Sequence, residues 1–411
     1  MKKIIPFIVI VMISIIAACS AKSDNVSSAI SPDISEVTST DNSEDTDVTS
    51  PAVNSSSDID NNGATEIRRI RPAMTGQNIC YDVKGDVVPC EGTGEDGSLK
   101  AGIAWPDNRF VTGKDIESDC VTDNLTGLMW VKSPDTAPMA WSDALSYSSE
   151  LSLCGYTDWR LPNRKELRSL VNYGVDDTSI WLNQQGFANV QEDGRYWTST
   201  TYVTEHTYDA WFIDMYDGYM FARLKTVSDE LYVLPVRSGK SESSVVLPMT
   251  GQNRCYDIEG EVIPCEGTGQ DGDLQAGALW PVPRFTVGKG IEAECVLDNL
   301  TGLMWVKSPD TTPITWSDAL SRSLELSLCG YTDWRLPNVN ELESLLNAEE
   351  FDTSEWLNKS GFRDVQPDSY WSSTTHASET DSAWVVHMFD GYIHPDGKIF
   401  DYYLLPVRSG K

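Results

Sequence analysis

The run Glu150–Asn163, ELSLCGYTDWRLPN, returns without a change at Glu325–Asn338. Its last six residues already have a local logic. Pro162 restricts Leu161 to an extended conformation. Asn163 then carries the side chain of an N-cap, and Glu166, three residues on, completes a capping box. A helix is therefore expected to begin after Asn163, with Leu167, Leu170 and Val171 as its buried stripe. Asn338 and Glu341 repeat the arrangement before Leu342, Leu345 and Leu346. Trp159 brings a large apolar face with an indole N–H that needs an acceptor, while Arg160 has Asp158 and other acids within reach. Trp159, Arg160, Pro162, Asn163 and Glu166, with Trp334, Arg335, Pro337, Asn338 and Glu341, read as a structural joint and not as a reactive centre.

Working outward, the chain proves to be a tandem duplication. Cys80, Cys90, Cys120 and Cys154 recur as Cys255, Cys265, Cys295 and Cys329, each 175 residues later. DNLTGLMWVKSPDT spans Asp123–Thr136 and again Asp298–Thr311, and LPVRSGK closes the two copies at Lys240 and Lys411. Two modules, 72–240 and 249–411, follow, joined by a linker at 241–248 that is too short to let them swing freely. Each has about 165 residues, enough for a core of its own. WSDALSYSSELSL has helical spacing, whereas YWTST, DAWFIDMYDGYMFARL and ELYVLPVR read as strands, with a hairpin turn at Asp217-Gly218. The second copy turns at Asp390-Gly391. The expectation is an α+β module with about two helices and a twisted antiparallel sheet.

The N-terminus carries an address. Two lysines, an apolar run from Ile4 to Ile16 and then Ala17-Ala18-Cys19 have the order of an export signal, residues 1–18. Ile16-Ala17-Ala18-Cys19 fits the bacterial lipobox, which makes Cys19 the lipidated first residue of the mature chain and the membrane a partner through that anchor. Ser20 behind it leans towards the outer membrane. Residues 19–71 are dominated up to Glu66 by Ser, Thr, Asn and Asp, too poor in apolar area to offset ordering, and read as a disordered acidic stalk. Of the nine cysteines this leaves four per module, which in an exported chain implies two disulfides each. Three pairings are possible in each set. The short hairpin of CYDVKGDVVPC favours Cys80 with Cys90 and Cys120 with Cys154, repeated as Cys255 with Cys265 and Cys295 with Cys329. Zinc is disfavoured because no C-x-x-C occurs.

Several functions are set aside by composition. A net charge of −31, from 62 acidic and 31 basic residues, opposes nucleic acid, and only ten of those acids lie in the stalk. His206, His376, His387 and His394 form no H-E-x-x-H, and no G-x-S-x-G is present. Asp214 is replaced by His387 in the second copy, so a carboxylate pair for glycoside hydrolysis is not kept. No catalytic residues are assigned. Asp217 and Asp390 are turn residues, and the first choices if calcium binds; otherwise no cofactor is expected.

Binding is argued from aromatic residues, because 14 tryptophans exceed what cores of this size need. Tyr196, Trp197, Tyr202, Trp211 and Tyr216, with Tyr370, Trp371, Trp384 and Phe389, are the candidates for contact with a glycan or peptide. TYVTEHTYDA against THASETDSA, the loop that changes length between copies, would be the recognition surface. The rival expectations are a structural lipoprotein that contacts an envelope protein and, less favoured, an envelope enzyme.

The ordered set TGLMWVK, WSDAL, CGYTDWRLPN, YWTSTTY, AWFIDMYDG and LPVR resembles the Lcl C-terminal domain family. The second module matches with YWSSTTH and AWVVHMFDG in the corresponding places. The resemblance implies an exported module of lipoproteins or cell surfaces, with adhesion to glycans, sulfated ones included, as an associated role. More distantly, Arg160-Leu161-Pro162-Asn163 with Glu166 is similar to the stretch that starts a helix in the C-type-lectin-like superfamily, in its formylglycine-generating-enzyme-like branch. That likeness implies a C-type-lectin-like fold. The reactive late cysteines of that branch and the Glu-Pro-Asn motif of true lectins have no counterparts here.

Overall fold

The computed structural model describes residues 69–192, 194–204, 207–228, 231–239 and 243–410. Residues 1–68, which hold the stretch read as an export signal, the expected lipidation site Cys19 and most of the expected stalk, lie outside the described residues. The first repeat starts as a disulfide-closed hairpin, Cys80–Tyr81 (β1) paired with Val87–Val88 (β2), which turns where Gly85 adopts φ +83°. One helical turn, Asp96–Leu99 (α1), follows. Three short strands come next, Phe110–Thr112 (β3), Cys120–Asp123 (β4) and Leu128–Val131 (β5). The helices are Trp141–Glu150 (α2), Arg164–Arg168 (α3) and Thr178–Gln184 (α4). The closing strands are Arg195–Thr201 (β6), Asp209–Asp214 (β7), Met220–Leu224 (β8), Leu231–Tyr232 (β9) and Val236–Ser238 (β10).

The second repeat retraces this path. It runs through Cys255–Tyr256 (β11), Val262–Ile263 (β12), Asp271–Leu274 (α5), Phe285–Val287 (β13), Cys295–Asp298 (β14) and Leu303–Val306 (β15). Trp316–Glu325 (α6), Val339–Glu343 (α7), Thr353–Lys359 (α8), Ser369–Thr375 (β16), Ser382–His387 (β17), Ile393–Gly397 (β18) and Val407–Ser409 (β19) complete it. The fold is α+β, with mostly antiparallel sheets and four disulfides: Cys80–Cys90, Cys120–Cys154, Cys255–Cys265 and Cys295–Cys329.

Two features differ from expectation. The helix after Asn163 lasts only five residues, because Ser169 Oγ donates to the Glu166 carbonyl at 2.6 Å and closes it, although Leu170 and Val171 remain buried in the turns beyond. In addition, α4 has no broad apolar stripe to announce it. It is held by its N-cap Asp177 and by Leu182.

The hexamer Asp158–Asn163 ties these parts together. Asn163 Oδ1 accepts from the amides of Lys165 and Glu166, and Glu166 reaches back to the Asn163 amide at 3.0 Å. Arg160 grips the same glutamate with both guanidinium nitrogens at 2.6 Å, in a nearly buried pair. Its backbone bridges to Val236, so the helix start is fastened to the last strand. Asp158 is paired with Arg237, which also lies over the Tyr156 ring. Trp159 is buried against Met129, Val131 and the Cys120–Cys154 bridge, and its indole donates to the Leu153 carbonyl.

The repeats do not fold as separate beads. Strands β16, β17, β18, β8, β7, β6 and β9 form one seven-stranded sheet, in that order. Its centre is the antiparallel pair β18–β8, with Ile393 opposite Met220, which places an approximate two-fold axis at the seam. Trp211, Met220, Trp384, Ile393, Leu167 and Leu342 share a single core.

Each repeat also lends its first 35 or so residues to the other. Asp96, on α1 of the first repeat, accepts from Thr374 of the second, and Gln77 brackets Thr375. Reciprocally, Asp271 on α5 accepts from Thr200, and Gln252 brackets Thr201. The joint takes part, since Asn163 Nδ2 donates to Ala276 O and Asn338 Nδ2 to Ala101 O. A buried lysine latches each arm. Lys398 Nζ donates to the Tyr81, Asp82 and Thr380 carbonyls, while Lys225 Nζ serves Tyr256, Asp257 and Thr207.

Candidate binding surface at the seam

The sequence repeats of β8 and β18, GYMFARL and GYIHPDG, alternate in a way that matters only once the strands are neighbours. Met220 and Ile393 point into the shared core and are fully buried. Between them, Tyr219, Phe221, Tyr392 and His394 are half-buried and lie at the seam. Tyr219 stacks on Phe221 with centroids 5.3 Å apart, Phe221 meets Tyr392 at 5.4 Å, and Tyr392 stacks on Tyr202 at 5.4 Å. His394 lies over Phe221 in a stacked arrangement. Trp211 and Trp384 support the two ends from beneath, at 5.4 Å from Tyr392 and 5.7 Å from Tyr219. Tyr202 and His376 occupy equivalent places, so the band runs across the two-fold axis and ends differently on each side.

The band is electrically neutral near pH 7. Burial, and then the nearby carboxylates Asp217, Glu379 and Asp396, raise the Tyr219 phenol well above its ordinary value. Burial pulls His376 down to about 4, so it is uncharged. Burial likewise pushes the Asp217 carboxyl up to about 7, aided by Asp214. The rim of the band therefore offers an Asp217 that both donates and accepts near neutrality, with Asp390 close to Tyr392. Flat aromatic faces with hydroxyl-reading groups at their edge suit sugar rings and extended peptides.

Most of the residues singled out in the sequence lie elsewhere. Tyr196, Trp197, Trp211, Tyr370, Trp371 and Trp384 are core residues, each 2% exposed or less, and cannot meet a ligand directly. Strand alternation puts Trp197 and Trp371 against α2 and α6, with indoles donating to Met139 O and Ile314 O. The hydroxyls of Tyr196 and Tyr370 are taken by the amides of Gln191 and Gln366. Tyr202 does join the band. Tyr216 stays in its turn, where its carbonyl accepts from Thr178, and Phe389 packs on Phe351.

The length-variable loops are also differently employed: each cradles the hairpin of the other repeat. Thr207 Oγ1 donates to Gly260 O, and Thr380 Oγ1 to Gly85 O at 2.9 Å. Glu205 and His206 lie outside the described residues. Tyr219, Phe221, Tyr392 and His394 were missed because their shared face exists only when two distant strands pair; period-two spacing after each Asp-Gly was the available signal.

Calcium is not supported at Asp217 or Asp390. Asp217 Oδ1 accepts the Tyr219 amide, and Asp390 Oδ1 is shared by the Tyr392 amide and His387 Nδ1 at 2.6 Å. Among the described residues no three His, Cys, Asp or Glu side chains converge to hold a metal ion. Within the same residues no helix is long and apolar enough to cross a membrane.

No curated protein matches the chain. The family model of the Lcl C-terminal domain matches residues 119–237 and 294–408, which together exceed half of the chain. Both matches begin after the exchanged arms, which lie in front of the matched region in each repeat. The chain belongs to the Lcl C-terminal domain family and carries two copies of the domain.

Proposed function

We propose that this is a non-catalytic, lipid-anchored protein of the bacterial cell envelope, held in the outer membrane, which binds neutral glycans or peptides across the seam of its two repeats. The observation that carries the reading is the half-buried band of Tyr202, Tyr392, Phe221 and Tyr219, built from both repeats and absent from either alone. Its neutral rings favour an uncharged partner over a sulfated one, in keeping with the net charge of −31. Export and anchoring rest on the lipobox at Cys19, and eight paired cysteines fit an oxidising compartment.

A glycan array and a peptidoglycan pull-down with the mature protein test the surface. Ligands retained by the parent protein should weaken at least tenfold in Y219A and Y392A, with the far-ultraviolet circular dichroism unchanged. Undiminished binding in both variants would remove the seam from consideration. Metabolic labelling with palmitate tests the anchor, and C19S should lose the label.

A further inference from the structure

Where α3 and α7 face one another on the two-fold axis, the segments 70–74 and 245–248 close over them and leave a cavity of about 90 Å³. Its walls are largely apolar, with Ile70, Met74, Val171, Val245 and Leu247 among them. Four polar atoms there lack a hydrogen bond. Arg168 and Glu343 form an ion pair across the axis, with Nε and Oε2 2.9 Å apart, but these two atoms do not align as a hydrogen bond. Arg168 Nε and Nη2 and Glu343 Oε1 remain buried with no hydrogen bond. Lys165 Nζ is buried and unbonded as well, with the Trp280 ring 5.7 Å away.

The duplication supplies an internal control. At the place equivalent to Lys165 the second repeat has Asn340, whose Nδ2 donates to Ala73 O at 3.1 Å and is satisfied. A neutral, bonded solution was therefore available, and an ammonium without an acceptor is an expensive alternative. The approach is also basic, although the protein is acidic. Arg71 lines both the cavity and an adjoining groove of about 560 Å³, which Arg69 and Lys100 flank. Such a funnel draws anions.

We propose that the cavity on the two-fold axis binds a small organic carboxylate, which accepts from Lys165 Nζ and Arg168 Nη2 while its short aliphatic body fills the apolar walls. The size limits the ligand to a few non-hydrogen atoms, well below the roughly 300 Å³ at which drug-sized pockets begin. Glu343 Oε1 asks for a donor beside the carboxylate, so a hydroxy or amino acid fits better than a plain fatty acid. The seam is a separate surface, and neither reading depends on the other.

Titration calorimetry of the mature protein with propionate, lactate and alanine tests this. Lactate or alanine should bind with Kd of about 1 mM or tighter, and propionate more weakly. K165M should lose at least tenfold in affinity yet keep its melting temperature, since it removes an unpaired buried charge. Binding should also take up a proton at pH 8, seen as a heat that varies with the ionisation enthalpy of the buffer. The reason is that burial, then the Arg284 charge, draw free Lys165 down to about 7, with Glu343, Arg164 and Asp298 the other charges facing it. No saturation by any of the three probes, which would leave water as the occupant, or equal affinity in K165M, would overturn the proposal.

Discussion

Helices α3 and α7 start from the same hexamer and the same capping box, yet RKELR and VNELE differ at three of five positions. The shared residues Glu166/Glu341 and Leu167/Leu342 face their own repeat, where they close the cap and fill the core. The differing positions each make a contact with the partner repeat. Arg164 lies over Trp211 and donates to Gly391 O, Asn340 holds Ala73 O, and Arg168 pairs with Glu343. Within these two helices, identity thus maintains each repeat and divergence matches one helix to the other, while the exchanged arms are held by residues that the repeats share.

The largest effect is expected at the cross-axis ion pair. R168M should cost about 3–5 kcal/mol in urea unfolding, because it strands a buried carboxylate. The double variant R168M/E343L should recover most of the loss. Near-additive single and double variants would show that the pair is not what matches the halves.

Asp96 and Asp271 test the shared side of the comparison. Burial raises both carboxyls to about 6, against the hydrogen bonds from Thr75 and Thr374 or from Thr250 and Thr200. A folded pKa above the unfolded one means stability that is complete below about pH 4 and lost as pH rises through about 6. The amount is about 3 kcal/mol per arm, at 1.36 kcal/mol per unit. Unfolding free energy measured between pH 4 and 7 should therefore fall with pH, and D96N and D271N should each flatten that slope equally. Unequal slopes would mean that the arms are not equivalent.

Asn163 and Asn338 should behave alike too. N163A and N338A each remove an N-cap and one bond to the exchanged arm, about 2 kcal/mol together. The smallest effect is expected from K165N, which makes the first helix resemble the second and offers a donor to Pro248 O. It should stabilise the protein by about 1 kcal/mol at pH 6, where the lysine is charged.

Much of this was legible in the sequence because it is local. The capping box, the Cys80–Cys90 hairpin and the turn residues Asp217 and Asp390 each depend on neighbours within a few positions. The Cys120–Cys154 pairing then followed by elimination. What could not be read was which copy each element would touch. Gln77 meets Thr375, 298 residues away, and no spacing within one repeat distinguishes that partner from Thr201. The aromatic band was hidden for the same reason, since Phe221 and Tyr392 become neighbours only at the seam. Tryptophan abundance pointed inward instead, because Trp197 and Trp371 fill the space under α2 and α6.

Two repeats with exchanged arms make one cooperative body. Differential scanning calorimetry of the mature protein with its disulfides intact tests this most directly. A single transition is expected, with calorimetric and van't Hoff enthalpies that agree, moved as a whole by either N163A or N338A. Two resolvable transitions, each shifted by only one of those variants, would contradict it.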